Sequence, residues 1–254
     1  MFSMQGKVAL ITGSSRGIGL AIAERMAESG AKVVISSRKA DTCAAAAEKI
    51  VASGGAAIAL AANISDKAAL QALVDRTIAE WGRIDTLVCN AAVNPHFGPL
   101  ATITDEAFDK IMASNVRSNL WLCNMVIPQM AARKDGSVII VSSIAGLKGN
   151  AMLGAYGISK AADFQLARNL AVEWGASNIR INAIAPGIIR TDFAKALWEN
   201  PATYEKAVRS YPLGRIGEPD DVAGAAIFLA SRAGAFVTGQ VLVVDGGVTI
   251  GDVD

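Results

Sequence analysis

Histidine occurs once in this sequence, as His96, and cysteine three times, as Cys43, Cys89 and Cys123. The cysteines lie far apart and form no CxxC pair or Cys/His cluster, so neither a metal site nor a disulfide framework is expected. Each stands in an apolar stretch and reads as a small buried thiol in a reducing compartment. Charge of either sign is not in excess: 24 Lys and Arg face 23 Asp and Glu, for a net charge of +1. That balance gives no electrostatic reason for a nucleic acid or an anionic membrane as partner. A long apolar run is also missing, since the longest, 222–230, is far short of the roughly 20 residues of a membrane span. Residues 1–7 have no basic segment leading into an apolar core, and the final Gly251-Asp252-Val253-Asp254 is not a Ser-Lys-Leu signal. A cytoplasmic location is the expectation.

What is present is a core. Hydrophobic residues make up 52% and charged residues 19% of the 254, a composition that suits a well-buried chain rather than a disordered one. Short apolar, β-branched runs at 8–12, 32–37, 56–62, 85–90, 137–142, 179–185 and 240–244 alternate with helical stretches. The helices are expected from the glycine-rich turn to about residue 29, then at 41–53, 66–81, 104–133 and 155–176, and from Pro219 onward. Pro128 is expected to bend the fourth. Strands this continuously apolar are buried on both faces. Their strict alternation with helices and the absence of a linker predict one α/β domain over 1–254. It should be a Rossmann-type doubly wound sheet of about seven mostly parallel strands, with helices on both faces.

Between the first strand and the first helix stands Thr12-Gly13-Ser14-Ser15-Arg16-Gly17-Ile18-Gly19. Glycines here allow a tight turn and a close backbone approach, and the helix N-terminus offers free amides, which together accept a pyrophosphate. The spacing is GxxxGxG rather than GxGxxG. Further along, Tyr156-Gly157-Ile158-Ser159-Lys160 places a tyrosine and a lysine on one helix face. A free phenol has a pKa of about 10. A neighbouring ammonium favours the phenolate, which turns the pair into a tuned proton donor or acceptor. Ser142 and Ser143 end the fifth strand, and ligands of open α/β sheets bind beyond the carboxyl ends of strands. Hydroxyl, Tyr/Lys face and glycine turn can therefore meet in one crevice.

With these motifs in this order, the chain closely resembles the short-chain dehydrogenase/reductase family, in its branch of roughly 250-residue single-domain enzymes. The matching pieces are Thr12 to Gly19, Cys89-Asn90-Ala91-Ala92, Asn115-Val116, Ser143, Tyr156 to Lys160, and Pro186-Gly187 followed by Thr191. The resemblance implies a hydride-transferring oxidoreductase of carbonyls and alcohols. It implies Tyr156 as general acid/base, Ser143 as the hydroxyl that orients the carbonyl, and Lys160 as the group that lowers the tyrosine pKa and holds the nicotinamide ribose. Asn115 resembles the asparagine that positions a water in a proton relay from Lys160. Cofactor contacts are expected from Gly13, Ser15, Arg16, Gly17, Ile18 and Gly19, from Asn63, Ile64, Asn90 and Ala91, and from Pro186, Gly187, Ile189 and Thr191. Two departures stand out: Ala92 replaces a frequent glycine, and Asn63 stands where an acid commonly contacts adenine.

The cofactor is expected to be NADP(H). The second strand ends Ser36-Ser37-Arg38 without the carboxylate that would take a ribose 2′-hydroxyl, and Ser37, Arg38 and Arg16 suit a 2′-phosphate. Asp41 reads as the N-cap of the next helix. Segment 188–212 is long for a connection and reads as a substrate lid. Phe193, Leu197, Trp198 and Tyr204, with Leu153 and His96, are the candidate pocket for an apolar ketone; His96 reads first as a solvated loop residue and second as a substrate contact. The alternatives are a 3-oxoacyl thioester reductase, acting on acyl-carrier or CoA thioesters, and a dinucleotide-binding protein without catalysis. A homotetramer is expected, because the two long helices carry much apolar surface, including Leu120, Leu122, Met125 and Val126 on one and Phe164, Leu166, Leu170 and Val172 on the other.

Overall fold

Every residue of the first strand is buried, and the same holds for the fourth and fifth, which is what unbroken apolar runs require of a sheet covered on both faces. The computed structural model describes residues 1–251. The terminal 252–254, read above for a targeting signal, lie outside the described residues. The elements are β1 (Val8–Thr12), α1 (Gly17–Glu28), β2 (Lys32–Ser36), α2 (Ala40–Ala52), β3 (Ala56–Ala59), α3 (Lys67–Trp81), β4 (Thr86–Cys89), α4 (Asp105–Met112), α5 (Ser118–Arg133), β5 (Gly136–Val141), α6 (Gly154–Trp174), β6 (Ile179–Pro186), α7 (Pro201–Arg209), α8 (Pro219–Ala230) and β7 (Val241–Val244). Among the described residues the strands form one sheet in the order β3-β2-β1-β4-β5-β6-β7. Every pairing is parallel. One apolar cluster packs α1, α2 and α8 on one face, and a second packs α3, α5 and α6 on the other. This is the doubly wound sheet expected.

The strand order reverses between β1 and β4, so the connections leaving these two strands diverge and open a crevice at the carboxyl edge. Local signals place the helices around it. Asp66 caps α3 by accepting from the Ala68 and Ala69 amides at 2.9 and 3.1 Å, and Gly82 ends it at φ 77°. Asp41 does not cap α2 as expected. The helix starts one residue earlier, its N-cap is Lys39 with no side-chain hydrogen bond, and Asp41 sits inside the first turn, where its charge still meets the positive end of the helix dipole.

The single helix expected over 104–133 is α4 and α5 joined by one wide π-type turn, Ala113–Arg117. Such turns release carbonyls from the regular ladder. Here the Ser118 hydroxyl donates to Ser114 O at 2.6 Å and the Asn119 amide donates to Asn115 O at 2.6 Å. Pro128 lies within α5, which runs on to Arg133. Four of the eight apolar residues expected on an outer face, Leu122, Val126, Phe164 and Leu170, belong to the sheet-facing core instead; Leu120 and Val172 are exposed. No helix among the described residues is long and apolar enough to cross a membrane.

Candidate active site

The glycine turn is stitched to its neighbours on both sides. Ser14 N donates to Ser36 O at 3.1 Å, and Ser36 N donates to Ser14 Oγ at 2.9 Å, tying the turn to the end of β2. From β4, Asn90 Nδ2 donates to the carbonyls of Thr12 and Gly13 at 2.9 and 3.1 Å. Gly13 and Gly17 have φ of 66° and 59°, the left-handed region where a side chain is strained. At Gly19 a Cβ would stand 2.5 Å from both Asn90 Nδ2 and Gly13 O. Asn90 is thus the residue that shapes the turn. Arg16, the N-cap of α1, makes no side-chain capping bond, and the first turn of α1 carries no acid. Its amides remain available to an anion, so the residues present fit a dinucleotide pyrophosphate.

The remaining cofactor candidates gather along the same edge. Arg38 is exposed just beyond β2, and the Ser37 hydroxyl lies 3.1 Å from Cys43 Sγ. Arg16 reaches across to Asp192, at 3.2 Å, with both side chains largely exposed. Asn63 turns back on its own backbone, accepting from Ser65 N at 3.1 Å. Thr191 lies against the turn, its Cγ2 being 3.2 Å from where a Gly17 Cβ would be. Ile189 is buried, 4% exposed, in the core cluster shared with α1 and α8. Gly187 N donates to Val244 O at 3.0 Å, which fixes the start of the 188–212 segment.

Ser143 follows β5 in extended backbone, and its Oγ accepts from Ala145 N at 3.1 Å. Tyr156 and Lys160 stand on the inner face of α6, at 9% and 2% exposure. The Lys160 ammonium lies 5.6 Å from the Tyr156 ring centroid. Its Nζ donates to Val141 O and to Asp163 Oδ2, each at 3.1 Å. Burial pushes the Tyr156 phenol above its ordinary value; the Lys160 ammonium and the Ser143 hydroxyl pull it down, and Asp163 adds to the rise. Lys160 therefore acts on the tyrosine in the expected direction, while burial outweighs it.

Asn115 sits in the wide turn with both ends of its amide used: Oδ1 accepts from Val93 N at 2.8 Å, and Nδ2 donates to Val93 O at 3.0 Å and Ser159 Oγ at 3.1 Å. Sequence reasoning missed Asn119 and Asp163, both buried and bonded at 3.0 Å beside Lys160. The only signal for them was a polar residue one turn beyond each of two motif residues. It also missed Asn94, whose buried Oδ1 has no hydrogen-bond partner among the described residues.

Of the pocket candidates, Phe193 comes nearest the chemistry, its ring centroid 6.2 Å from that of Tyr156. Leu153 precedes α6 and pairs with Gly98 across the mouth of the crevice. His96 Nε2 lies 3.2 Å from Pro99 O within its own loop. Trp198 and Tyr204 pack within the 188–212 segment on either side of Arg190, whose guanidinium lies 5.3 and 5.5 Å from their rings. Leu197 is half-buried at the end of a short 3-10 helix, Asp192–Leu197; the helix α7 that follows was not foreseen.

A family model described as enoyl-(acyl carrier protein) reductase matches residues 13–249. Dehydrogenase/reductase SDR family member 4 of Oryctolagus cuniculus is 43% identical over 244 residues, covering 96% of this chain and 94% of the relative. A 7α-hydroxysteroid dehydrogenase, solved with NADH and 7-oxo glycochenodeoxycholic acid, is 37% identical with a TM-score of 0.94, covering 100% of this chain and 97% of that one. A 3-oxoacyl (acyl-carrier-protein) reductase from Agrobacterium tumefaciens, solved with NADP bound, is 36% identical with a TM-score of 0.91, covering 96% and 95%.

Proposed function

Because the chain belongs to the short-chain dehydrogenase/reductase family and is an NAD(P)-dependent oxidoreductase of carbonyls and alcohols, we propose that it reduces a mainly apolar ketone with NADPH, using Ser143, Tyr156 and Lys160. The observation that carries this reading is the buried Lys160 ammonium beneath the Tyr156 ring at the crevice beside the glycine turn. When bound, NADPH supplies the hydride for the carbonyl carbon. Tyr156 donates its proton to the carbonyl oxygen, and the Ser143 hydroxyl orients that oxygen by a hydrogen bond. Beyond its two partners, Val141 O and Asp163 Oδ2, the Lys160 ammonium has a third N–H, which would hold the nicotinamide ribose. Asn115 secures the loop after β4 against α6, which holds the floor of the site.

The apolar substrate is supported by the rim. The loops leaving β4, β5 and β6 carry exposed Phe97, Leu147, Met152 and Phe193. Two of the four basic residues of the 188–212 segment are already paired, Arg190 with Glu218 at 2.8 Å and Lys195 with Glu199 at 3.2 Å. A phosphopantetheine or carrier protein would want those charges free, which ranks thioester reduction second. Phe193 is the wall residue of the lid; Trp198 and Tyr204 stiffen it from within. A screen of NADPH oxidation with aliphatic and aryl ketones, diketones and 3-oxoacyl thioesters tests the ranking. Ketones should lead, and Phe193→Ala should raise their KM several-fold. Thioesters ahead by tenfold or more in kcat/KM would reverse it.

The proposed assembly is a homotetramer. Leu120 on α5 and Val172 on α6 are 38% and 86% exposed, and Phe236 before β7 and Val243 within it are 104% and 39% exposed. Two separate apolar faces suit two two-fold axes. Light scattering at micromolar concentration should give about four times the chain mass; a monomer mass would contradict it.

A further inference from the structure

Asp163 has no part in the chemistry above, yet it is fully buried beside the reacting pair. A buried carboxylate is costly unless it is paired and hydrogen-bonded. This one is: Oδ2 accepts from Lys160 Nζ at 3.1 Å and Oδ1 accepts from Asn119 Nδ2 at 3.0 Å. The same Asn119 amide nitrogen donates to Asn115 O at 2.6 Å. An unbroken line of hydrogen bonds therefore joins Asn115, Asn119, Asp163 and Lys160 beneath the crevice. Asp163 follows Lys160 by three residues and Tyr156 by seven, so all three share one face of α6.

A lysine that served only to draw the phenol toward phenolate would work best without a carboxylate, since a paired ammonium exerts a weaker net pull. We propose that Asp163 is the positioning residue of the Tyr156/Lys160 pair: its carboxylate fixes the ammonium under the tyrosine and holds both protons on the pair near neutrality, favouring carbonyl reduction over alcohol oxidation. This rests on the reductase reading above.

The charges around the pair agree. Burial works against the Lys160 ammonium, but Asp163 and Tyr156 more than offset it and keep its proton bound. Burial also raises the Asp163 carboxyl, against the pull of Lys160, Asn119 and Ser142. From β4, Cys89 faces the pair; its hydrogen bond with Cys123 on α5, together with burial, raises it, so it stays a neutral thiol. Ser142, Ser143, Asn115 and Asn119 are uncharged. Asp163 is the carboxylate that faces Lys160.

The test is Asp163→Asn in the full chain, labelled with 13C at tyrosine Cζ and lysine Cε. The three tyrosines are Tyr156, Tyr204 and Tyr211, and Tyr156→Phe assigns the signal. Because Tyr156 and Lys160 titrate together, the shift belongs to the pair. Removing the negative charge should move the first proton loss of the pair toward acid by about one pH unit, without cofactor present. The rising limb of alcohol oxidation against pH should move the same way. Asp163→Ser, smaller and uncharged, reads the same titration if the amide is not accommodated. An unmoved or alkaline-shifted titration in a folded variant overturns the proposal. A wild-type protein with no turnover of any carbonyl would instead overturn the reductase reading, and the titration would still decide the role of Asp163.

Discussion

Tyr156→Phe is expected to lose at least a hundredfold in kcat for ketone reduction while still binding NADPH. The substitution removes one hydroxyl and keeps the ring. The ring is what packs, with Phe193 at 6.2 Å and the Lys160 ammonium at 5.6 Å, so the fold and the cofactor cleft should survive. What is lost is a proton donor within reach of the carbonyl oxygen. A positioned general acid contributes roughly 10²–10⁴-fold, or about 3–5 kcal/mol of barrier. Desolvation also favours the protonated phenol, the form that reduction requires. Reduction should therefore hold across neutral pH and fall as the medium becomes alkaline enough to deprotonate the pair; oxidation should rise over the same range. Steady-state kcat, with NADPH binding followed by quenching of tryptophan fluorescence, checks both halves. Near-normal turnover would remove Tyr156 from its role.

The sheet, the glycine turn and the shared face of Tyr156 and Lys160 were legible because each rests on local rules. Strands buried on both faces have no alternation to misread, and an i, i+4 pair shares a face in any helix. The wide turn at Ala113–Arg117 was not legible. One extra residue in a turn changes the hydrogen-bond ladder but leaves no break in the helical pattern around it. Asp163 and Asn119 read as polar residues on long helices, where solvent exposure is the ordinary fate; only the packing of α5 against α6 shows that they face each other. Leu122, Val126, Phe164 and Leu170 were assigned to a subunit interface for the same reason, since an apolar residue reads alike whether it meets the sheet or a partner. Asp41 failed as a cap because α2 begins at Ala40, with the unassisted Lys39 before it.

The choice of coenzyme turns on which charges can meet a 2′-phosphate. β1 and β2 are in register from Val8 opposite Lys32 to Thr12 opposite Ser36, so Ser37 and Arg38 emerge beside the glycine turn that carries Arg16. The end of β2, Ser36-Ser37-Arg38, itself supplies no carboxylate to take a 2′-hydroxyl. Arg38 is exposed, and Arg16 is held by Asp192 with their side chains 72% and 66% exposed. An exposed pair of this kind contributes only about 0–1 kcal/mol. A hydrogen bond to a charged group contributes roughly 1.5–3 kcal/mol, so a 2′-phosphate should draw Arg16 away from Asp192 at small cost. One such contact is worth about tenfold in affinity and two about a hundredfold. The measurement that bears most directly on the account is kcat/KM of the purified chain for NADPH and for NADH with the same ketone. Both should be oxidised steadily, with NADPH preferred at least tenfold and the preference largely lost in Arg38→Ala. A preference for NADH, or no oxidation of either nucleotide with any ketone, would contradict it.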